Sequence, residues 1–211
     1  VAGNTMDYAA VHGRSIKNAG YSFVSCSRQA FEESIVKPQA FDVVDIYFGL
    51  QRKTDYSVIE HPEYQVITPV MYAILGHYVK QGGALLVSGS YLGEESRANA
   101  TTKALLNNVL HAKEMGCIAD WSEQGICGLG TTLEIPRWVN PEQYAVTRPE
   151  VFMPIGDAFT PLVYERSRRN AAVAYSGRYR SLLLGFPFEA IRSAHDRDLV
   201  MSSVLKFLVE K

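Results

Sequence analysis

The sequence predicts an α/β fold built on a mixed sheet, mostly parallel, with antiparallel strands in its C-terminal half. Three observations carry this expectation. In the first half, helix-like segments alternate with short apolar strand-like runs, the pattern of a parallel sheet with right-handed crossovers. In the second half, strand-like runs follow one another across tight turns, which pairs them antiparallel. The composition is that of a folded chain: of 211 residues, 47% are apolar and 20% charged, enough for one large domain and short for two.

Asn4 or Thr5 is positioned to cap a first helix over Asp7–Asn18, stopped at Gly20. Tyr21–Cys26 (YSFVSC) is a β-rich run, and Ser27 caps a short helix through Ser34. Asp42–Gly49 (DVVDIYFG) is the next strand. A polar loop with His61-Pro62 leads into a helix over Gln65–Lys80 that carries Pro69 in its first turns. Gly82-Gly83 stops that helix, and the wholly apolar run from Ala84 opens a strand reaching Ser90. Thr101 or Thr102 starts a helix through His111. From Gly116 to Pro161 the chain is rich in Gly, Pro and Trp and reads as loops with a strand or hairpin, Thr131–Ile135 among them, beside the main sheet. Leu162–Arg166, Ala171–Tyr175 and Ser181–Phe186 are strand-like, with Ser176-Gly177-Arg178 turning the last two into a hairpin. Ala194–Val209 closes the chain as a helix. A fold of this type ordinarily opens on a central strand, so the opening helix predicts a further strand upstream of it.

A formal net charge of -1 gives no electrostatic case for a nucleic-acid or anionic-membrane partner. No run is long and apolar enough for a transmembrane segment, and the N-terminus lacks the pattern of a signal peptide. Cys26, Cys117 and Cys127 are too few and too irregular for a disulfide framework or a zinc site, although Cys117 and Cys127 could pair. The histidines at 12, 61, 77, 111 and 195 are scattered, with none at ligand spacing, so no metal and no cofactor is expected.

The most informative stretch is YAILGHYVKQGGALLVSGSYLG, Tyr72–Gly93. A helix, a stop and a buried strand there end in the small-residue turn Ser88-Gly89-Ser90, where α/β enzymes place nucleophiles or phosphate cradles. Together with GNTMDYAAVHGRSI (3–16), AGYSFVSCS (19–27), DVVDIYFGLQRKT (42–54), YVKQGGALLVSGSYLG (78–93) and LLLGFPFEAI (182–191), it resembles a family across nearly the whole chain. The family is that of the Bacteroides-type multidomain proteins labelled xanthan lyase or golvesin-like. In them the corresponding region resembles a class I glutamine amidotransferase-like domain. The resemblance implies a three-layer, flavodoxin-type sandwich forming one domain over 1–211 of a larger exported protein, periplasmic or at the cell surface. It also implies a strand before the GN-DY segment.

Amidotransferase chemistry uses a Cys on a strained turn after a central strand, with a His and a Glu from a later F-H-P-E string. Backbone N–H groups at such a turn stabilise the thiolate and the later oxyanion. On this sequence the turn falls at Ser88–Tyr91, which holds no Cys. The later string is Phe186-Pro187-Phe188-Glu189, with Pro187 in the place of the His and Glu189 retained. Ser90 could replace the Cys, but the glycines of a nucleophile elbow are missing on both sides (Ser88 and Leu92 stand there), and it needs a base. His195 is the first candidate for that base, then His12 and His77. Cys26, between a strand end and a helix start, is another candidate nucleophile, or else a buried core residue.

Glu94 and Glu95, after the turn, could serve acid–base chemistry or complement a helix dipole, and Asp45 lies within a strand. Arg166, Arg168, Arg169, Arg178 and Arg180 alternate with Tyr164, Tyr175 and Tyr179, a combination suited to acidic sugars or to guarding a hairpin edge. Trp121 and Trp138 form a second candidate sugar platform. Ser88, Tyr91, Glu94, Trp121, Trp138 and Arg178 are therefore the expected ligand-binding set, and Ser90, Glu189, His195 and Cys26 the candidate catalytic one. With nucleophile and base both missing from the amidotransferase pattern, the expected function is that of a non-catalytic accessory domain of an exported polysaccharide-associated protein. Its expected partners are a glycan or neighbouring domains of the same polypeptide. The alternative is a carbohydrate-active hydrolase or lyase using Ser90 or nearby carboxylates.

Overall fold

The computed structural model describes residues 7–51, 66–140 and 143–210. The expected caps Asn4 and Thr5 and the His61-Pro62 loop lie outside them. Helix α1 (Tyr8–Asn18) is followed by a run without regular structure over 21–27, helix α2 (Arg28–Glu32) and strand β1 (Val43–Tyr47). Helix α3 (Pro69–Lys80) leads into β2 (Ala84–Ser88), then α4 (Leu92–Ser96) and α5 (Ala100–Asn108). Strands β3 (Ala112–Cys117), β4 (Gly125–Gly128), β5 (Thr131–Glu134), β6 (Glu150–Pro154) and β7 (Leu162–Tyr164) come next. The chain finishes with β8 (Ala172–Ser176), β9 (Arg180–Leu184) and α6 (Ala194–Val209).

The expected mixed α/β architecture is present. The main sheet has the order β1-β2-β9-β8, with β1, β2 and β9 parallel and β8 antiparallel to β9. The β8–β9 hairpin turns at Ser176-Gly177-Arg178 as the sequence predicts, closed by a bond from the Gly177 N–H to the Tyr179 carbonyl. Two further antiparallel units stand beside it: the pair β3–β6 and the three-stranded sheet β5-β4-β7.

Alternation along the strands divides the core. Ala84, Leu86, Leu182 and Leu184 pack with Ile16 of α1 and Val200, Val204 and Leu208 of α6. Leu85, Val87 and Leu183 pack with Leu75 and Val79 of α3 and Leu105 and Leu106 of α5. Every residue of β2 is buried, as a strand covered on both faces must be. Helices α1 and α6 are also pinned by polar contacts, with Ser15 and Asn18 donating to the two Asp198 carboxylate oxygens at 2.7 and 2.8 Å.

Several boundaries differ from expectation for identifiable reasons. Helix α3 begins at Pro69, because proline at the first helical position needs no N–H partner, and Thr68 caps it by accepting from the Met71 N–H. Asn99, not a threonine, caps α5, taking the Thr101 and Thr102 N–H groups on its side-chain oxygen. Residues 112–117, between the helix expected to end at His111 and the loop-rich section expected from Gly116, form strand β3. Leu162–Tyr164 joins the small sheet rather than the main one. The largest departure is Tyr21–Cys26, which is exposed and, among the described residues, joins no sheet. The three cysteines are free thiols.

Candidate functional site

Strand β2 delivers its C-terminal end into the turn 88–91, as the sequence places it. Gly89 has φ 151° and lies against Phe48, where an added Cβ would come within 2.9 Å of the Phe48 Cβ. The Ser90 N–H donates to the Gly49 carbonyl at 2.8 Å, tying the turn to the end of β1. The strained residue of this turn is Tyr91, with φ 71° and ψ 0°, one position after Ser90. Its hydroxyl shares a hydrogen bond with Thr147 Oγ1 at 2.9 Å. A tyrosine therefore occupies the left-handed position between strand and helix, the geometry that exposes a nucleophile in enzymes with such an elbow.

Ser88 and Ser90 are buried, at 1% and 0% exposure, and neither hydroxyl has a hydrogen-bond partner among the described residues. Two backbone donors just beyond the turn are engaged. Gly93 and Glu94, at the start of α4, donate their N–H groups to the two carboxylate oxygens of Glu150 at 2.8 and 2.9 Å. Burial pushes Glu150 up to about 7, against the lowering effect of those two bonds. The neighbouring acids are similarly committed. Glu95 accepts from the Val66 N–H and the Thr102 hydroxyl, and Glu94 pairs with Arg148 at 2.7 Å.

Glu189 stands in a different cluster. His12, on α1, is 2% exposed and lies 2.6 Å from Asp45 Oδ2 through Nδ1 and 3.2 Å from Glu189 Oε2 through Nε2. Tyr144 donates its hydroxyl to the other Glu189 oxygen at 2.7 Å. Burial alone would lower the imidazole; the Asp45 carboxylate and then Glu189 outweigh it and raise His12 to about 9. At neutral pH His12 is a cation donating from both ring nitrogens. The rings of Tyr47 and Phe188 flank it at 4.5 and 4.7 Å. Such a group is a built-in counter-ion for two carboxylates, not a general base. The sequence named His12, Asp45 and Glu189 separately and missed Tyr144; their union spans 177 residues of chain between His12 and Glu189 and has no local signature.

The remaining candidates are dispersed. His195 is exposed in the first turn of α6 and makes no hydrogen bond to Ser90. Cys26 is exposed at the end of the 21–27 run, and partial burial raises its thiol, away from thiolate character. Arg178 is exposed at the tip of the β8–β9 hairpin. Trp121 and Trp138 are 47% and 54% exposed, and the Arg137 guanidinium lies 5.3 Å from the Trp121 ring. Near the hairpin, His111 stacks on Tyr175 with ring centroids 3.8 Å apart. Among the described residues no group of His, Cys, Asp and Glu is arranged to hold a metal ion. No helix of the described residues is long and apolar enough to cross a membrane.

No family model matches the chain, and no curated protein matches it. Among solved structures, the chain is similar to an exo-β-1,4-mannosidase, Op5Man5, from Opitutaceae bacterium strain TAV5. The identity is 12% and the TM-score 0.58, covering 97% of this chain and 31% of the mannosidase. It is likewise similar to the mmIFT52 N-terminal domain, at 13% identity and a TM-score of 0.56, covering 97% of this chain and 90% of that one. These likenesses establish a shared fold. The chain spans less than a third of the mannosidase it matches.

Proposed function

We propose that this chain is a non-catalytic accessory domain of an exported, polysaccharide-associated protein, with the three-layer arrangement of amidotransferase-like domains. The observation that carries the reading is the state of the turn after β2. Ser90 is fully buried and unpartnered among the described residues, Tyr91 takes the strained position, and Glu150 occupies the Gly93 and Glu94 N–H groups at the start of α4. A serine nucleophile needs an adjacent base and free donors; among the described residues the only buried histidine is held between two carboxylates. The resemblance to the xanthan-lyase-labelled, golvesin-like proteins supports the setting: an exported multidomain polypeptide in which the domain contacts a glycan or its neighbours.

Covalent probes test the loss of chemistry. Fluorophosphonate is expected to leave Ser90 unlabelled in the native protein. Iodoacetamide is expected to alkylate Cys26 no faster than in the denatured chain, because Cys26 is exposed but its thiol is raised. Native labelling of Ser90, or release of unsaturated uronates from xanthan, would overturn the reading in favour of a hydrolase or lyase.

The binding half of the reading rests on the exposed Trp121 and Trp138. Exposed indoles offer flat apolar faces to sugar rings, and removing one stacking partner costs on the order of 1 kcal/mol. Trp121→Ala and Trp138→Ala are each expected to weaken retardation in a xanthan-containing native gel by about fivefold to tenfold. Unchanged mobility in both variants would leave neighbouring domains, not a glycan, as the partner.

A further inference from the structure

Ahead of β4 the chain makes a tight turn, Asp120-Trp121-Ser122-Glu123, closed by the Glu123 N–H donating to the Asp120 carbonyl at 3.2 Å. Asp120 stabilises it as an aspartate at the head of a turn does: its Oδ1 accepts from the Ser122 N–H at 2.8 Å and from the Ser122 hydroxyl at 2.7 Å. Arg137, fully buried, donates to the Asp120 and Glu123 carbonyls and so fills the inside of the turn. Trp121 lies over that guanidinium, with the Arg137 Cζ 5.3 Å from the ring centroid, and is still 47% exposed. One face of the indole is therefore fixed against a buried charge, and the other is left to solvent. A tryptophan held in this way loses little freedom when a flat apolar partner stacks on it.

Two groups of opposite charge belong to the same turn. Arg166, exposed just after β7, donates Nη1 to the Ser122 hydroxyl, and its backbone N–H is held by Glu123 Oε1 at 2.9 Å. Its Nε and Nη2 have no partner among the described residues, and that edge of a guanidinium can meet a carboxylate with two parallel hydrogen bonds. Asp120 spends Oδ1 inside the turn and keeps Oδ2 free among the described residues. The Ser122 bonds hold its carboxyl below the ordinary aspartate range, with smaller help from the Arg166 and Arg137 charges, so it is an acceptor at neutral pH. The sequence pattern grouped Arg166 with Tyr164, but Tyr164 is buried and its hydroxyl bonds the Glu150 carbonyl. The fold gives Arg166 to the tryptophan turn instead. An apolar plate with a free guanidinium edge and a free carboxylate oxygen suits a ring that carries a carboxylate and hydroxyls together. A bare anion would gain from Arg166 and be opposed by Asp120; a neutral sugar would leave the guanidinium edge unused.

We infer that the turn 120–123 and Arg166 form a subsite for a uronic-acid residue of a glycan. The sugar ring stacks on the open face of Trp121, its carboxylate takes the Nε and Nη2 hydrogens of Arg166, and a ring hydroxyl donates to Asp120 Oδ2. Arg137 is the positioning residue that holds the plate from beneath. The inference rests on the glycan-binding half of the proposed function and adds to it the class of sugar and the groups that select it.

The test titrates the protein with a β-1,4-linked tetraglucuronate and with the same tetramer whose carboxylates are reduced to alcohols. NMR reads the indole N–H signals of the two tryptophans, which Trp138→Phe assigns. The Trp121 signal is expected to shift with tetraglucuronate, and the reduced tetramer to bind at least about tenfold more weakly. Arg166→Gln is expected to bring tetraglucuronate down to the affinity of the reduced tetramer and to leave the reduced tetramer as it was. Arg166 is exposed and its backbone bond to Glu123 survives the change, so the variant keeps the fold. Equal affinity for the two tetramers, or an Arg166→Gln loss shared by both, overturns the uronate assignment and leaves glycan binding standing. A shift confined to Trp138 overturns the site and likewise leaves glycan binding standing. Tetraglutamate binding as tightly as tetraglucuronate overturns the inference in favour of an acidic segment of a neighbouring domain. No shift with either tetramer overturns it together with the glycan-binding reading.

Discussion

Replacing His12 with glutamine is expected to destabilise the protein by about 3 kcal/mol at pH 6, and the deficit is expected to shrink as pH rises past 9. The size follows from the surroundings. His12 and Glu189 are both 2% exposed at the side chain and Asp45 is 14% exposed, so removing the cation leaves two carboxylates facing each other with little solvent. Glutamine can donate to one of them but carries no charge. The sign of the pH dependence follows from the direction of the shift. His12 titrates near 9 in the fold against an ordinary value of 6.5, so the folded state holds its proton more tightly than the unfolded chain. Its contribution is complete below about 6.5 and is lost as pH rises through 9. A shift of that size corresponds to about 3 kcal/mol at 1.36 kcal/mol per unit. Urea unfolding of both proteins at pH 6, 8 and 10 measures the gap directly. A gap that stays constant across that range would mean that His12 acts by shape and neutral hydrogen bonding, not as a counter-ion.

The same cluster marks the limit of what could be read from the sequence. β1, β2 and β9 were legible because a strand buried on both faces must be a continuous apolar run, and VVDIY, ALLVS and RSLLL come close to that. The hairpin at Ser176-Gly177-Arg178 was legible because turn chemistry is local. Tyr21–Cys26 has the composition of a strand, yet strand formation depends on a partner edge more than on propensity, and none pairs with it among the described residues. β3, AKEMGC, lacks an apolar run, and its one large apolar residue, Met115, is exposed, while its pairing with β6 is irregular between Glu114 and Cys117. The position of the turn after β2 could be found from the Gly-rich stop and the strand before it. Which residue takes the left-handed conformation could not, since Tyr91 is an unusual occupant and Gly89 the obvious one. The His12–Asp45–Glu189 association joins α1, β1 and the turn after β9, and only the fold brings those segments together.

Replacing Arg137 with methionine is expected to cost about 3 to 5 kcal/mol, with the loss concentrated in the small sheet β5-β4-β7. Arg137 is fully buried, and its guanidinium donates to three backbone carbonyls, those of Ile118, Asp120 and Glu123, at 3.1, 3.0 and 2.9 Å. Methionine fills much of the volume but leaves those acceptors without a donor. Each buried orphan costs on the order of 1 to 3 kcal/mol, reduced where the loop can open to water. Lysine is expected to recover less than half of the loss, because a single ammonium cannot span three carbonyls held around a planar fork. The damage spreads through Glu123, which accepts the Arg166 and Ser167 N–H groups at 2.9 and 2.7 Å and so joins this loop to the end of β7. Hydrogen exchange is therefore expected to quicken at 125–134 and 162–167 while β2 and β9 keep their protection. Trp121 supplies an independent signal: it lies over the same guanidinium, so its emission shifts in Arg137→Met. Were the melting temperature unchanged, the three hydrogen bonds would only offset the cost of burying the charge, and Arg137 would serve to fix the loop's shape beneath Trp121, not to stabilise the fold.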